Sequence, residues 1–332
     1  MSLTISLNKL LRYSSYNKDW PIEYSKIESF LEHILTGLHK EIHHVGSTSV
    51  NGLGSKPILD IDIEYTETIE PIINVLTSNG WEYQGDKGIE GRHAFRRTDD
   101  AFYEHHLYAI HSSNPELKKH LDFRNALRTY KIFRLKYQTL KQNLIIKNNK
   151  DRLLYTNSKT DLVHHIMKVS GNMNKIVFAG GCFWGVEAYF KQLTGVYKTE
   201  VGYIAGNGET TYQEVCSGSG HAEAVLIEYN NEEIELNKLL DHLFNIIDPT
   251  SINKQGPDIG VQYRSGIYNY NDSELEIINT YFNKKQPQYK RPIAIELKTE
   301  LPFFSAEEYH QDYLDKNKNG YCHVNLDSHK NV

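Results

Sequence analysis

Gly180-Gly181-Cys182-Phe183-Trp184-Gly185 closes the short apolar run Lys175–Ala179. It opens a segment with Val186, Ala188, Tyr189 and Phe190 in its first turns. A short apolar run ending in paired glycines reads as a strand, and the segment after it as a helix. Glycine lets the backbone take the tight or left-handed turn between them. Cys182 therefore falls at a helix N-terminus, where free N–H groups and the positive end of the helix dipole favour a thiolate. The expectation is a reactive cysteine with a lowered pKa. A lone cysteine is often a small buried hydrophobe. Buried filler, however, needs neither glycines on both sides nor two adjacent aromatics.

Polar groups follow downstream. Tyr212 precedes Cys216 in Thr211-Tyr212-Gln213-Glu214-Val215-Cys216, and Glu223 opens the apolar run of His221-Ala222-Glu223-Ala224-Val225. A carboxyl in an apolar pocket has a raised pKa and can serve as a general acid. Asp258 and Tyr263 stand in the loop-like stretch Gln255–Ser265. Cys322 lies near the end, and the glycine and asparagines around it imply a mobile tail.

Strand and helix alternate beyond Met173. Strands are expected at Thr199–Tyr203, Ala222–Tyr229, Ser265–Tyr270 and Ile293–Leu297, with helices at Glu235–Ile247 and Asp272–Lys284. Upstream, a helix is expected over Ile22–Lys40, a small-residue turn over Gly46–Ser55 and a strand over Ile58–Tyr65. Strands follow at Arg92–Arg97 and Tyr103–Ile110, then helical sequence over Pro115–Lys147 and Arg152–Val169. Ser170-Gly171-Asn172 is a helix stop. The reading is an α+β chain of two domains, 1–172 and 173–332.

With 332 residues the chain is long enough for two ordinary domains. A formal net charge of −5 gives no electrostatic footprint for nucleic acid. No stretch approaches the roughly 20 apolar residues of a membrane span. Met1–Tyr16 lacks the apolar run of a secretory signal, so a cytoplasmic location is expected. Three cysteines, none in a C-x-x-C pair, make neither a disulfide framework nor a structural zinc site.

Five ordered motifs carry a resemblance: Gly181–Gly185, His221–Val225, Gly256–Ser265, Ala306–Leu314 and Gly320–Cys322. Together they make residues 173 to about 327 resemble the type A peptide methionine sulfoxide reductases. The resemblance implies a ferredoxin-like α/β sandwich with Cys182 as nucleophile and Cys322 as resolving cysteine. It implies that Phe183 and Trp184 hold the substrate methyl group. Glu223 would protonate the sulfoxide oxygen, Tyr212 and Tyr263 would help hold it, and Asp258 would orient the site. Cys216 matches a position where many members carry a cysteine that is not the nucleophile. The implied substrates are the S-sulfoxide of methionine, in oxidised proteins or free. The implied reductant is thioredoxin, with no bound cofactor and no metal. Pro257 stands where the family commonly has asparagine.

In the first half, Val45–Val50 ends a strand in a turn that can present N–H groups to a phosphate, and Lys56 adds charge. Asp60, Asp62 and Glu64 alternate, so all three share one strand face, where carboxylates could hold Mg²⁺. Trp20-Pro21, the run His44–Ile63 and the basic helical segment after it make residues 10 to about 168 resemble the GrpB family. That resemblance implies a nucleotidyltransferase-like α/β fold with a nucleotide site at Gly46, Ser47, Lys56, Asp60 and Asp62. A third carboxylate would fall in Tyr103–Tyr108, where Glu104 is off phase and His106 points into the site. A binding module for a nucleotide, or a structural partner without catalysis, remains an alternative for this half.

Overall fold

The computed structural model describes residues 13–97, 99–147 and 152–332. Residues 1–12 of the stretch read for a secretory run lie outside them. The chain divides into two compact units between Ser170 and Gly171.

The first unit opens with helix α1 (Asp19–Ile34), then β1 (Glu41–Val45), β2 (Leu59–Tyr65), α2 (Glu70–Ser78), β3 (Trp81–Tyr83), β4 (Arg92–Arg97) and β5 (His105–His111). Helices α3 (Pro115–Thr129), α4 (Lys131–Lys147) and α5 (Arg152–Ser170) complete it. Its sheet has the order β1-β2-β5-β4-β3, with β2 and β5 parallel and the other neighbours antiparallel. Trp20, Ile27 and Leu31 of α1 are buried with Ile61, Ile63 and Leu107 of the sheet.

Three details differ from the sequence reading. Helix α1 stops at Ile34 rather than Lys40, because Gly37 takes φ +77 in the turn that follows. The segment Pro115–Lys147 is two helices, broken at Tyr130, whose backbone is extended (φ −105, ψ 104). Helix α2 and strand β3 were not anticipated, although Ile72 and Leu76, four apart, carry the buried face of α2.

The second unit runs β6 (Met173–Gly180), α6 (Phe183–Phe190), β7 (Val196–Ile204), α7 (Tyr212–Cys216), β8 (Ala222–Asn230) and α8 (Leu236–Ile246). A small ribbon, β9 (Lys254–Gln255) with β10 (Asp258–Ile259), precedes β11 (Ser265–Tyr268), α9 (Asp272–Lys285), β12 (Glu296–Lys298), β13 (Phe304–Ser305) and α10 (Tyr313–Lys316). The six-stranded sheet has the order β12-β11-β6-β8-β7-β13, with only β11 and β12 parallel. Both units are thus mixed sheets with helices, an α+β architecture.

Alternation explains both faces of this sheet. Ile176 and Phe178 of β6 join Val225 and Ile227 of β8 in one apolar cluster with α6 and α8. Val177 and Ala179 point the other way, beside Ala222 and Ala224. Each large apolar side chain fully buried this way contributes roughly 1.5–3 kcal/mol.

Candidate active site

Strand β6 ends at Gly180, and Gly181 takes φ +88 to turn the chain into α6. A Cβ on Gly181 would come within 2.8 Å of both Gln255 Cβ and His323 Nε2, so only glycine fits. The turn sets Cys182 at the N-cap of α6, as the sequence implies. The N–H groups of Trp184 and Gly185 donate toward its sulfur. The thiol is nevertheless buried, and burial together with the Glu223 carboxyl pushes its pKa above the ordinary value. This corrects the expectation of a lowered pKa: the two N–H groups act in the predicted direction, but desolvation outweighs them.

Glu223 lies on β8 opposite Tyr203 of β7, in phase with Val225 and Ile227 and therefore on the apolar face under α6. It is 1 % exposed. Burial pushes its pKa up to about 8; the Phe183 N–H, donating to Oε2 at 3.1 Å, pulls the other way, and Asp258 adds a smaller push. At neutral pH this is a carboxylic acid, held by one hydrogen bond to the residue after Cys182.

Tyr263, at the end of the 3-10 turn Val261–Tyr263, is half-buried. Tyr212 heads α7, and its hydroxyl bonds the exposed Cys216 one turn on. Burial raises both phenols, and the Glu223 carboxyl adds to each, so both remain O–H donors. Cys182, Glu223, Tyr212 and Tyr263 thus form one cluster of neutral proton donors.

The aromatic wall has supports that the sequence reading did not assign. Phe183 is 1 % exposed and packs against Tyr203 and His310. The Trp184 indole stacks on Tyr313 at 3.7 Å and donates from Nε1 to His310 Nδ1 at 3.0 Å. Burial pushes the His310 pKa down, consistent with an Nδ1 that accepts. The Glu307 carboxylate accepts from the Tyr203 hydroxyl at 2.8 Å and from the Tyr212 N–H at 3.0 Å. Glu307, His310 and Tyr313 all fall within Ala306–Leu314, whose density of polar and aromatic residues was the available signal.

The tail carrying Cys322 is docked, not loose as its composition suggested. Tyr321 donates to Asp258 Oδ1 at 2.8 Å, His323 Nε2 lies 3.2 Å from the Gly180 carbonyl, and Cys322 Sγ donates to the Val324 carbonyl at 3.2 Å. A Cβ on Gly185 would stand 3.2 Å from Cys322 Sγ, which puts that sulfur against the first turn of α6. Asp258 Oδ2 and His323 Nδ1 face each other at 3.4 Å.

In the first unit, Gly46 takes φ +66, and a Cβ there would overlap Asp60 Oδ2. Gly46, Ser47, Lys56 and Asp60 line one cavity of about 230 Å³. Asp62 is not among its lining residues: it is fully buried, and its Oδ2 is 2.7 Å from His120 Nδ1. Asp60 Oδ1 lies 2.9 Å from His106 Nδ1, the residue opposite it on β5, and Glu104 is exposed outside the strand. Glu64 pairs with Lys40 and His43 instead. The three acidic residues do alternate as read, but each is engaged by its own basic partner.

A thiol at a helix N-cap beside a protonated carboxylic acid and an aromatic wall defines a thiol-dependent enzyme. The peptide methionine sulfoxide reductase family model matches residues 174–332, and that of the GrpB protein matches residues 11–169. The peptide methionine sulfoxide reductase MsrA of Clostridium acetobutylicum is 52 % identical over 154 residues, 46 % of this chain and 95 % of that protein. The enzyme of the same name from Mycoplasma genitalium is 52 % identical over 157 residues, 47 % of this chain and all (100 %) of that one. Among solved structures, methionine sulfoxide reductase A of Corynebacterium diphtheriae is 32 % identical over 46 % of this chain and 78 % of that one, with a TM-score of 0.42. Conserved protein GrpB from Enterococcus faecalis is 28 % identical over 47 % of this chain and 97 % of that one, also with a TM-score of 0.42. The chain belongs to the peptide methionine sulfoxide reductase family through its C-terminal half, with a GrpB domain before it. Its activity is the reduction of methionine sulfoxide.

Proposed function

We propose that Cys182 attacks the sulfoxide sulfur while Glu223 gives its proton to the sulfoxide oxygen, with Tyr212 and Tyr263 donating hydrogen bonds to that oxygen. The observation that carries this reading is the buried Glu223 carboxyl, pushed up to about 8 and bonded to the Phe183 N–H beside the thiol. A sulfoxide sulfur is a poor electrophile until its oxygen is protonated, and preorganised donors supply that stabilisation. The oxygen passes to Cys182, methionine leaves, and the thiol proton returns to Glu223. The thiol becomes a sulfenic acid as the sulfoxide becomes a thioether. Phe183 and Trp184 wall the methyl group.

Cys322 then condenses with the sulfenic acid, forming a disulfide and releasing water. An external dithiol, thioredoxin, reduces that disulfide by thiol–disulfide exchange. Docking of the tail by Tyr321 and His323 supports this role for Cys322. Asp258 positions the tail as well as the site. The substrates are the S-sulfoxide in proteins and free methionine S-sulfoxide, and no bound cofactor is needed. No helix among the described residues is long and apolar enough to cross a membrane, and we assign the protein to the cytoplasm.

Residues 173–332 form the reductase domain in this reading, and residues 1–172 a nucleotide-binding module. Mg²⁺ does not fit the second site. Asp60 and Asp62 each face a histidine, and the strand position beside Asp60 supplies His106 where a third carboxylate would be needed. We therefore assign no metal-dependent nucleotidyl transfer to it.

Cys182→Ser should abolish reduction of a methyl sulfoxide by thioredoxin. Cys322→Ser should complete one turnover and then fail to recycle with thioredoxin. Full activity of the first variant overturns the assignment of the nucleophile, and normal recycling by the second removes Cys322 from the cycle.

A further inference from the structure

Glu187 is the one charged residue within α6, and it is 2 % exposed. A buried carboxyl costs free energy unless polar partners meet it. This one takes no part in the thiol chemistry. Its Oε2 accepts from the Asp312 backbone N–H at 3.0 Å, and its Oε1 from the Thr199 hydroxyl at 3.4 Å.

Trp184, Glu187 and Lys191 are three and four residues apart, so they share one face of α6. Residues 310–315 lie along that face. Trp184 Nε1 donates to His310, Glu187 accepts from Asp312, and Lys191 pairs with the Asp312 carboxylate and, at 2.6 Å, with Asp315. Between His310 and Asp312, Gln311 bonds both backbone groups of Val201 on β7, at 3.0 and 2.9 Å.

Asp312 is left-handed, at φ +53 and ψ 34, where a residue with a Cβ is strained. Its turn starts α10 and lays Tyr313 on the Trp184 indole, with ring centroids 3.7 Å apart. Such a conformation persists only where its surroundings hold it. Gln311 fixes the chain before the turn, and Glu187 holds the N–H of the turn itself. The Lys191 pair acts on the half-exposed Asp312 side chain, where solvent screens it.

We propose that Glu187 is a positioning residue for the substrate methyl wall: by accepting from the Asp312 N–H it holds the left-handed turn that keeps Tyr313 stacked on Trp184. The proposal deepens the reading of Trp184 as part of that wall and rests on it. Burial pushes the Glu187 pKa up to about 7 against the pull of Lys191. Near neutrality the carboxyl is therefore partly protonated, and its carbonyl oxygen accepts in either form.

The test is a double-mutant cycle in the full chain, read as KM and kcat for a methyl sulfoxide. Glu187→Met fills the same space without an acceptor, a kind of exchange that buried charges often tolerate. It should raise KM by about 3- to 10-fold, the worth of the aromatic stack, with kcat changed less. Glu187→Gln keeps an acceptor and should keep the KM of the parent chain. In a Tyr313→Ala chain, Glu187→Met should raise KM no further, because both changes act through one stack. An equal rise with and without Tyr313 overturns the proposal, since a merely structural contribution would be additive. Amide hydrogen exchange on the unaltered chain needs no variant to fold: the Asp312 N–H should be protected, and exchange as fast as an exposed amide overturns the proposal as well. If Tyr313→Ala raises KM and Glu187→Met does not, the wall stands and only the role of Glu187 falls. If Tyr313→Ala leaves KM unchanged, the reading of the wall falls, and this proposal with it.

Discussion

The backbone N–H of Phe183 donates to Glu223 Oε2 at 3.1 Å. That single bond joins the turn carrying Cys182 to the buried acid, so sulfur and proton donor are fixed relative to each other before substrate arrives. Glu223, pushed up to about 8, is protonated at neutral pH. Single-turnover reduction should therefore weaken as pH rises through about 8. Glu223→Gln should lower the rate by roughly 10²–10⁴ and remove that dependence. Stopped-flow rates across pH check both.

The same residue is predicted to cost stability. Its folded value lies above the unfolded value of 4.5, so its contribution is fully present below 4.5 and is lost as pH rises toward 8. Glu223→Gln carries no charge and should raise the melting temperature of the C-terminal unit more at pH 8 than at pH 5. Calorimetry at the two pH values decides it, and an equal shift at both contradicts a carboxyl that is neutral when folded.

The Trp184 indole is clamped between Tyr313, 3.7 Å away, and His310. An aromatic stack contributes about 0.5–1.5 kcal/mol. Tyr313→Ala should raise KM for a methyl sulfoxide by about 3- to 10-fold, with kcat changed less. Steady-state kinetics separate the two constants, and a fall confined to kcat would remove the indole from substrate binding.

Tyr321→Phe removes the hydroxyl that holds the tail to Asp258. Sulfenic acid should form on Cys182 at the normal rate, while closure of the disulfide with Cys322 slows by about 3- to 10-fold, the effect of one hydrogen bond. Mass spectrometry of quenched single turnovers reads both species.

Gly181→Ala should destabilise the C-terminal unit by about 2–4 kcal/mol, because it combines left-handed strain with overpacking against Gln255 and His323. Gly208, at φ +73 with nothing within 4 Å of a Cβ, is the control. Its alanine variant should lose only about 1–2 kcal/mol. Urea unfolding followed by loss of reductase activity distinguishes them.

Much of the site was legible because its signals are local. Gly181 before Cys182 announces a strand-to-helix turn, and Glu223 is out of place in an apolar run. His310, Tyr313 and His323 were not assigned, since their roles depend on partners far along the chain: His310 binds Trp184 126 residues away, and His323 lies on Gly180, 143 residues away. Composition around Cys322 suggested a free tail, and long-range contacts at Tyr321 and His323 hold it instead.

The sequence by itself determined the two-part organisation, the alternation of strands and helices, and the placing of Cys182 at a helix start, because periodicity and glycine turns act over a few residues. Tertiary structure decided the protonation of the site. The N–H groups at the head of α6 lower the Cys182 pKa as the sequence implies, but burial under the sheet and the neighbouring Glu223 carboxyl outweigh them. Desolvation is a property of everything packed around a group, and no local stretch of sequence states it. The same holds for Lys141 and Lys159, ordinary helix lysines in the sequence that line one cavity with Asp60 only when α4 and α5 come together.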